Sequence, residues 1–173
     1  RGKALGATWY LPEERSITTK EQLLDEMCSA LGGRAAEEII FGRVSSGAQN
    51  DLERVTKQAY AMVSIFGMSE KIGTVSFYDS TGQSDYSFTK PYSEKTAQLI
   101  DEEAKKIIDQ EYQRALSILR EHSEGHQKLA QLLLDREVIF SEDMEQIFGK
   151  RLNDNSAENQ IGDQSISPDP VGV

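Results

Sequence analysis

Thr18-Thr-Lys-Glu-Gln-Leu-Leu-Asp-Glu-Met-Cys-Ser-Ala-Leu-Gly-Gly-Arg-Ala-Ala-Glu-Glu-Ile-Ile-Phe-Gly42 reads as one amphipathic helix. Thr18 and Glu21 open it with the spacing of a capping box, in which the threonine hydroxyl accepts from the Glu21 backbone and the Glu21 side chain reaches back. Leu24, Met27, Cys28, Leu31, Ala35 and Ile39 then fall on a single stripe. Gly42 is the expected stop. Gly32 and Gly33 interrupt the pattern, and each costs a helix roughly 1 kcal/mol relative to alanine. The pair has two readings: another backbone approaches closely there, or the helix is simply weak there.

Downstream, Ser46 to Gln49 offers a second capping box, and Asn50 is an alternative cap. Either start puts Asp51 in the first two turns of a helix whose apolar face is Leu52, Val55, Ala59, Met62, Val63 and Phe66, ending at Gly67. Ser93 opens the longest helix, to about Glu121, with Ala97, Ile100, Ala104, Ile107, Ile108, Ala115, Ile118 and Leu119 at helical spacing. A further helix is expected over about Gly125 to Arg136, with Leu129, Leu132 and Leu133 inward, and a short last one from Ser141 to Phe148. Two short strands complete the prediction, Lys3–Tyr10 and Ile72–Tyr78. Asp79 to Pro91 is polar and reads as an exposed loop. From Leu152 onward too few apolar side chains remain to offset the entropy of ordering, so residues 152–173 are expected to be a disordered tail after a domain over 1–151. The fold class is therefore mainly α, with a small β element.

The chain has 173 residues and a net charge of -10. That balance excludes a nucleic-acid surface, which needs clustered Lys and Arg. It also disfavours binding to anionic lipid, and it serves solubility. Cys28 is the single cysteine, so neither an internal disulfide nor a cysteine zinc finger can form. Its place among apolar residues marks it as a small buried hydrophobe, in keeping with a reducing compartment. No apolar run approaches the ~18 residues that span a bilayer. The chain opens at Arg1-Gly-Lys without an initiator methionine and reads as part of something longer.

His122 and His126 are four apart and would share a helix face. In an HExxH zinc site the glutamate directly follows the first histidine. Here Ser123 does, and Glu124 comes one step later, turned by roughly 100°. The pair reads better as exposed histidines at a helix end. Asp51, taken alone, is an acidic residue suited to the positive end of a helix dipole, and Glu37 and Glu38, taken alone, are solvated helix-surface carboxylates.

The run Ser45-Ser-Gly-Ala-Gln-Asn-Asp-Leu-Glu-Arg54 changes that weighting. Together with Leu31, Gly32-Gly-Arg-Ala-Ala-Glu-Glu-Ile-Ile-Phe-Gly42, the span Met62–Gly73 and Lys90-Pro-Tyr-Ser-Glu94, it resembles the peptidase domain of FtsH-type ATP-dependent zinc metalloproteases. The resemblance runs from Arg1 to about Arg151, with separate motifs in the right order. It implies that two histidines of an HExxH helix and one aspartate hold Zn2+, leaving a fourth position for water, with the HExxH glutamate as general base. That helix belongs upstream of Lys3. By resemblance, Asp51 is the metal ligand present here, and Glu37 is a partner orienting a ligand histidine. Ala4, Leu5, Gly6, Ala7 and Thr8 match the edge strand that binds extended substrate through main-chain hydrogen bonds, although an ordinary structural strand would look alike. No catalytic base is expected within the chain, and 173 residues with one ligand are expected to be inactive alone.

The resemblance further implies a parent protein that degrades misfolded or short-lived membrane and soluble proteins. It would be a homo-hexamer, with ATP and Mg2+ in a separate ATPase module. N-terminal helices would anchor it in the cell inner membrane, with this domain on the cytoplasmic side. No phosphate loop of the G-x-x-x-x-G-K-[ST] type occurs in the chain. The rival readings are a catalytically dead relative acting as a structural subunit of the ring, and a plain helical interaction module.

Overall fold

The computed structural model describes residues 17–77 and 92–150. Its first unit contains three helices: α1, Lys20–Phe41; α2, Gln49–Ser64; and α3, Glu94–Glu121. A short 3-10 turn, Ser46–Ala48, leads into α2. The second unit contains α4, Ser123–Arg136, and α5, Ser141–Phe148. The mainly α class is borne out, and no strand occurs among the described residues.

In the first unit each helix packs on both others. The expected stripe of α1 supplies Met27, Cys28, Leu31 and Ala35 to the core. α2 adds Val55, Ala59, Met62 and Val63. α3, about 42 Å long at 1.5 Å per residue for its 28 residues, lays Ile100, Ala104, Ala115 and Leu116 across both. Leu52, Phe66 and Ile118 were expected on these faces but are exposed. Leu52 sits at the open end of α2, Phe66 lies past its last turn, and Ile118 lies on α3 between Leu116 and Leu119, which take the core-facing positions instead.

The start of α1 differs by one residue from expectation. Thr19, not Thr18, is the cap: its hydroxyl accepts from the Gln22 backbone at 3.3 Å, and the Gln22 side chain accepts from the Thr19 backbone at 2.9 Å. Thr18/Glu21 and Thr19/Gln22 both fit the pattern, and only the second register is used. At the other end Gly42 adopts the left-handed conformation and donates to the Glu38 carbonyl, as a helix stop requires. The helix runs unbroken through Gly32 and Gly33, and no described atom would lie within 4 Å of a β-carbon at either.

Residues 72–77 are not a strand. They wrap the end of α2, where the Phe77 backbone donates to the Ser64 carbonyl at 2.8 Å and the Phe77 ring meets Tyr92 edge-on at 5.0 Å. One backbone bond back to a helix end is not a ladder, and Gly73, at φ 82, turns the chain rather than extending it. Just before that segment, Ser69 and Lys71 reach Glu103, a buried carboxylate on α3: the Ser69 hydroxyl donates at 3.1 Å and the Lys71 ammonium pairs at 2.8 Å. The expected strand Lys3–Tyr10, the loop Asp79–Pro91 and the tail 152–173 lie outside the described residues, as does Tyr78.

In the second unit, Asp143 ties the end of α4 to the start of α5. Its carboxylate accepts from Arg136 and from the Phe140 backbone, both at 3.1 Å. Leu129 and Leu132 are half-buried, whereas Leu133, expected inward, is exposed. Gly125, read from the sequence as a weak point, has a packing role: the Phe148 ring edge occupies the space a β-carbon there would need.

Candidate functional site

The segment that joins α1 to α2 carries the residues singled out by sequence. After Gly42 the chain runs to Ser45, whose backbone is extended and whose hydroxyl oxygen accepts from the Gly47 backbone at 3.1 Å. That bond caps the 3-10 turn, and neither of the expected caps for α2, Ser46 or Asn50, is used. The residue flanking α2 is Ala48, which has no side chain able to cap. Asp51 stands in the first turn of α2, exposed, with its acidic side chain at the positive end of the helix dipole. Among the described residues nothing hydrogen-bonds or pairs with its carboxylate.

Ser45 is held from α1. Glu37 accepts from the Ser45 backbone at 3.0 Å and from its hydroxyl at 2.7 Å, and Arg34 donates to the Ser45 carbonyl at 3.1 Å. Arg34 and Glu37 are three apart and so share a helix face. The Ser45 hydroxyl, then the Ser45 N–H, hold the Glu37 carboxyl below its ordinary range, and the Arg34 charge works in the same direction. Glu37 was expected to orient a histidine; the partner it has here is Ser45. Glu38, its neighbour, accepts from the Tyr112 hydroxyl on α3. Burial, followed by that bond, raises the Tyr112 phenol above its usual value.

The histidine pair belongs to the second unit. His122 flanks the start of α4, its carbonyl accepts from the His126 backbone at 2.9 Å, and its ring meets Phe148 edge-on at 6.1 Å. Cys28 is buried and free, and burial pushes its thiol up, which makes it a packing residue rather than a nucleophile. Among the described residues no group of three or more His, Cys, Asp or Glu side chains could hold a metal ion. Asp51 fits the role of one ligand, since its carboxylate is exposed and unengaged among those residues. A catalytic zinc site needs three protein ligands, and the described residues set no two further ones beside Asp51. Ala4–Thr8 lie outside the described residues.

The model of Peptidase family M41 matches residues 1–147. The chain belongs to this family. The matched span takes in α1 to α4 and all but the last residue of α5, so the turn at Ser45 and the start of α2 are M41 elements. Among similar proteins, the ATP-dependent zinc metalloprotease FtsH of Parabacteroides distasonis is 71% identical over 151 residues, which is 87% of this chain and 22% of the relative. FtsH of Karelsulcia muelleri is 54% identical over 147 residues, 85% of this chain and 24% of the relative. The mitochondrial inner membrane m-AAA protease component AFG3L2 of Mus musculus is 50% identical over 151 residues, 87% of this chain and 19% of the relative. The chain thus spans between 19% and 24% of the length of these curated relatives. The likeness read from Gly32–Gly42 and Ser45–Arg54 is borne out.

Sequence reasoning singled out Asp51 and Glu37 but missed Arg34, Ser45, Tyr112 and Glu103. Arg34 had a signal in its spacing from Glu37. Glu103 had one in its place on the apolar stripe of α3, three residues after Ile100.

Proposed function

We propose that this M41 chain is the peptidase segment of an ATP-dependent zinc metalloendopeptidase, and that Asp51 is its protein ligand to Zn2+. The observation that carries this is the Asp51 carboxylate, set at the first turn of α2 and left unengaged by the described residues within a family segment. Two histidines and a glutamate base would come from an HExxH helix outside this chain. When bound, zinc acidifies a water molecule and polarises the scissile carbonyl. Asp51 contributes a ligand, and its place at the rim of α2 keeps it open to the site. Ala4 to Thr8 would pair with extended substrate by main-chain hydrogen bonds, which read little sequence and suit a degradative enzyme.

The substrates are misfolded or short-lived membrane and soluble proteins. ATP and Mg2+ act in a separate module, the assembly is a homo-hexamer, and N-terminal helices hold it in the inner membrane with this segment on the cytoplasmic side. The zinc and ATP dependence in the names of the relatives support this reading. So does the membrane in the name of the mouse protein. The described residues themselves form no helix long and apolar enough to cross a membrane.

The test is zinc content and casein cleavage by the full-length protein, with Asp51→Ala beside it. About one zinc per chain and cleavage, both lost in Asp51→Ala, are expected. A full-length protein without metal or cleavage would make it a structural subunit instead. Activity that survives Asp51→Ala would remove Asp51 from the site.

A further inference from the structure

We propose that Ser45 is a positioning residue for Asp51; this rests on the reading of Asp51 as a zinc ligand. Every polar group of Ser45 is engaged. Its N–H and hydroxyl donate to Glu37, its carbonyl accepts from Arg34, and its hydroxyl oxygen also accepts from Gly47. Ser45 is itself exposed, in a turn that buries nothing, so these bonds and not burial hold it.

The reason lies in how α2 begins. The first N–H groups of a helix have no partner within it, and a side-chain cap normally holds that turn in place. Ala48 cannot provide one, and the first buried residue of α2 is Val55, a full turn beyond Asp51. Hydrophobic packing therefore fixes the middle of the helix and leaves the Asp51 turn to its polar tether. The 3-10 turn, through the bond from the Gln49 backbone to the Ser46 carbonyl, passes the position of Ser45 on to α2. Ser45 in turn is referred to α1 by Glu37 and Arg34, whose helix is anchored in the core at Leu31 and Ala35. The tether consists of hydrogen bonds to an exposed turn, so losing it should loosen Asp51 without unfolding the three helices.

The experiment compares full-length protein with Ser45→Ala, Ser45→Thr and Asp51→Ala. It reads the zinc dissociation constant by chelator competition, thermal unfolding, and amide exchange at Gly47 and Gln49. Loss of a ligand's supporting partner typically weakens metal binding ~10- to 100-fold. Ser45→Ala is expected to weaken zinc binding ~10-fold, by the same rule, to speed exchange at both amides, and to leave the unfolding temperature unchanged. Ser45→Thr, which keeps the hydroxyl, is expected to restore both readouts. Unchanged zinc affinity in Ser45→Ala, with zinc lost in Asp51→Ala, would overturn the positioning role alone. Weakened affinity that tracks a lower unfolding temperature and is not rescued by threonine would overturn it in favour of general destabilisation. Zinc retained by Asp51→Ala would overturn the ligand reading, and this inference with it.

Discussion

Leu31 on α1 is 1% exposed and Leu134 on α4 is 77% exposed, although both are leucines in helices rich in apolar residues. The first belongs to a unit in which three helices close on one another around Met27, Met62, Val63 and Ile100. The second belongs to a helix pair with no buried residue in either helix, held by the Asp143 hook and the Phe148 ring. Two helices share a single line of contact, whereas a third can cover the groove between them. Apolar content alone does not make a core; the number of faces that meet does. Leu31→Ala is accordingly expected to destabilise the first unit by ~2–5 kcal/mol, the range for opening a cavity in a packed core. Leu134→Ala should shift stability by no more than ~0.5 kcal/mol, as surface changes do. Urea unfolding of the two variants measures the contrast, and equal losses would mean that α4 is covered as fully as α1.

A smaller effect is expected at Glu103, where the first unit buries a charge among apolar neighbours. The Lys71 ammonium holds its carboxyl below the ordinary value and the Ser69 hydroxyl adds to this, while burial pushes the other way. Because the folded pKa is depressed, its contribution to stability is present above the unfolded value near 4.5 and is lost as pH falls through the lower folded value. Glu103→Ala frees Ser69 and Lys71, but Lys71 is half exposed and rehydrates, so about 1–2 kcal/mol is expected. The variant is also expected to show a smaller loss of stability than the unsubstituted protein as pH falls below about 4.5 in urea unfolding. An undiminished decline would assign it to other carboxylates, such as Glu37, whose pKa is also lowered.

What the sequence made legible follows from the same contrast. The stripes of α1 and α3 and the centre of α2 could be read because 3.6-residue periodicity reports directly on burial. Gly42 was legible because a left-handed cap favours one residue type. Thr19 was not, since two overlapping registers satisfy one pattern. Leu133 was misplaced because periodicity gives a face but not what meets it. Residues 72–77 looked like a strand from composition, but a strand needs a partner ladder, and that segment turns round a helix end instead. At the site, Asp51 and Glu37 were singled out through family likeness, and the structure places both beside the α1–α2 connection. The Ser45 tether was not legible, because it depends on how far the chain travels between two helices, which no local pattern encodes.

The smallest expected effect sets the two units against each other at one backbone angle. α1 stops at Gly42 and α4 stops at Glu137, both at φ 61, and each donates its N–H to the carbonyl four residues before it. Glycine adopts this conformation without steric penalty, whereas a residue with a β-carbon loses roughly 1–2 kcal/mol there. Space is not an issue at Gly42, where a β-carbon would meet nothing within 4 Å, so Gly42→Ala isolates the backbone term and should destabilise α1 by about 1 kcal/mol. Glu137→Gly reverses the exchange. It relieves the strain but gives the unfolded chain the extra freedom of glycine, which takes back about 0.5–1 kcal/mol. A net gain below ~1 kcal/mol should remain, visible as slower amide exchange in α4 and α5 rather than in global unfolding. Faster exchange in Glu137→Gly would mean that the glutamate side chain itself holds the end of α4, and that the second unit relies on one more polar hook than Asp143.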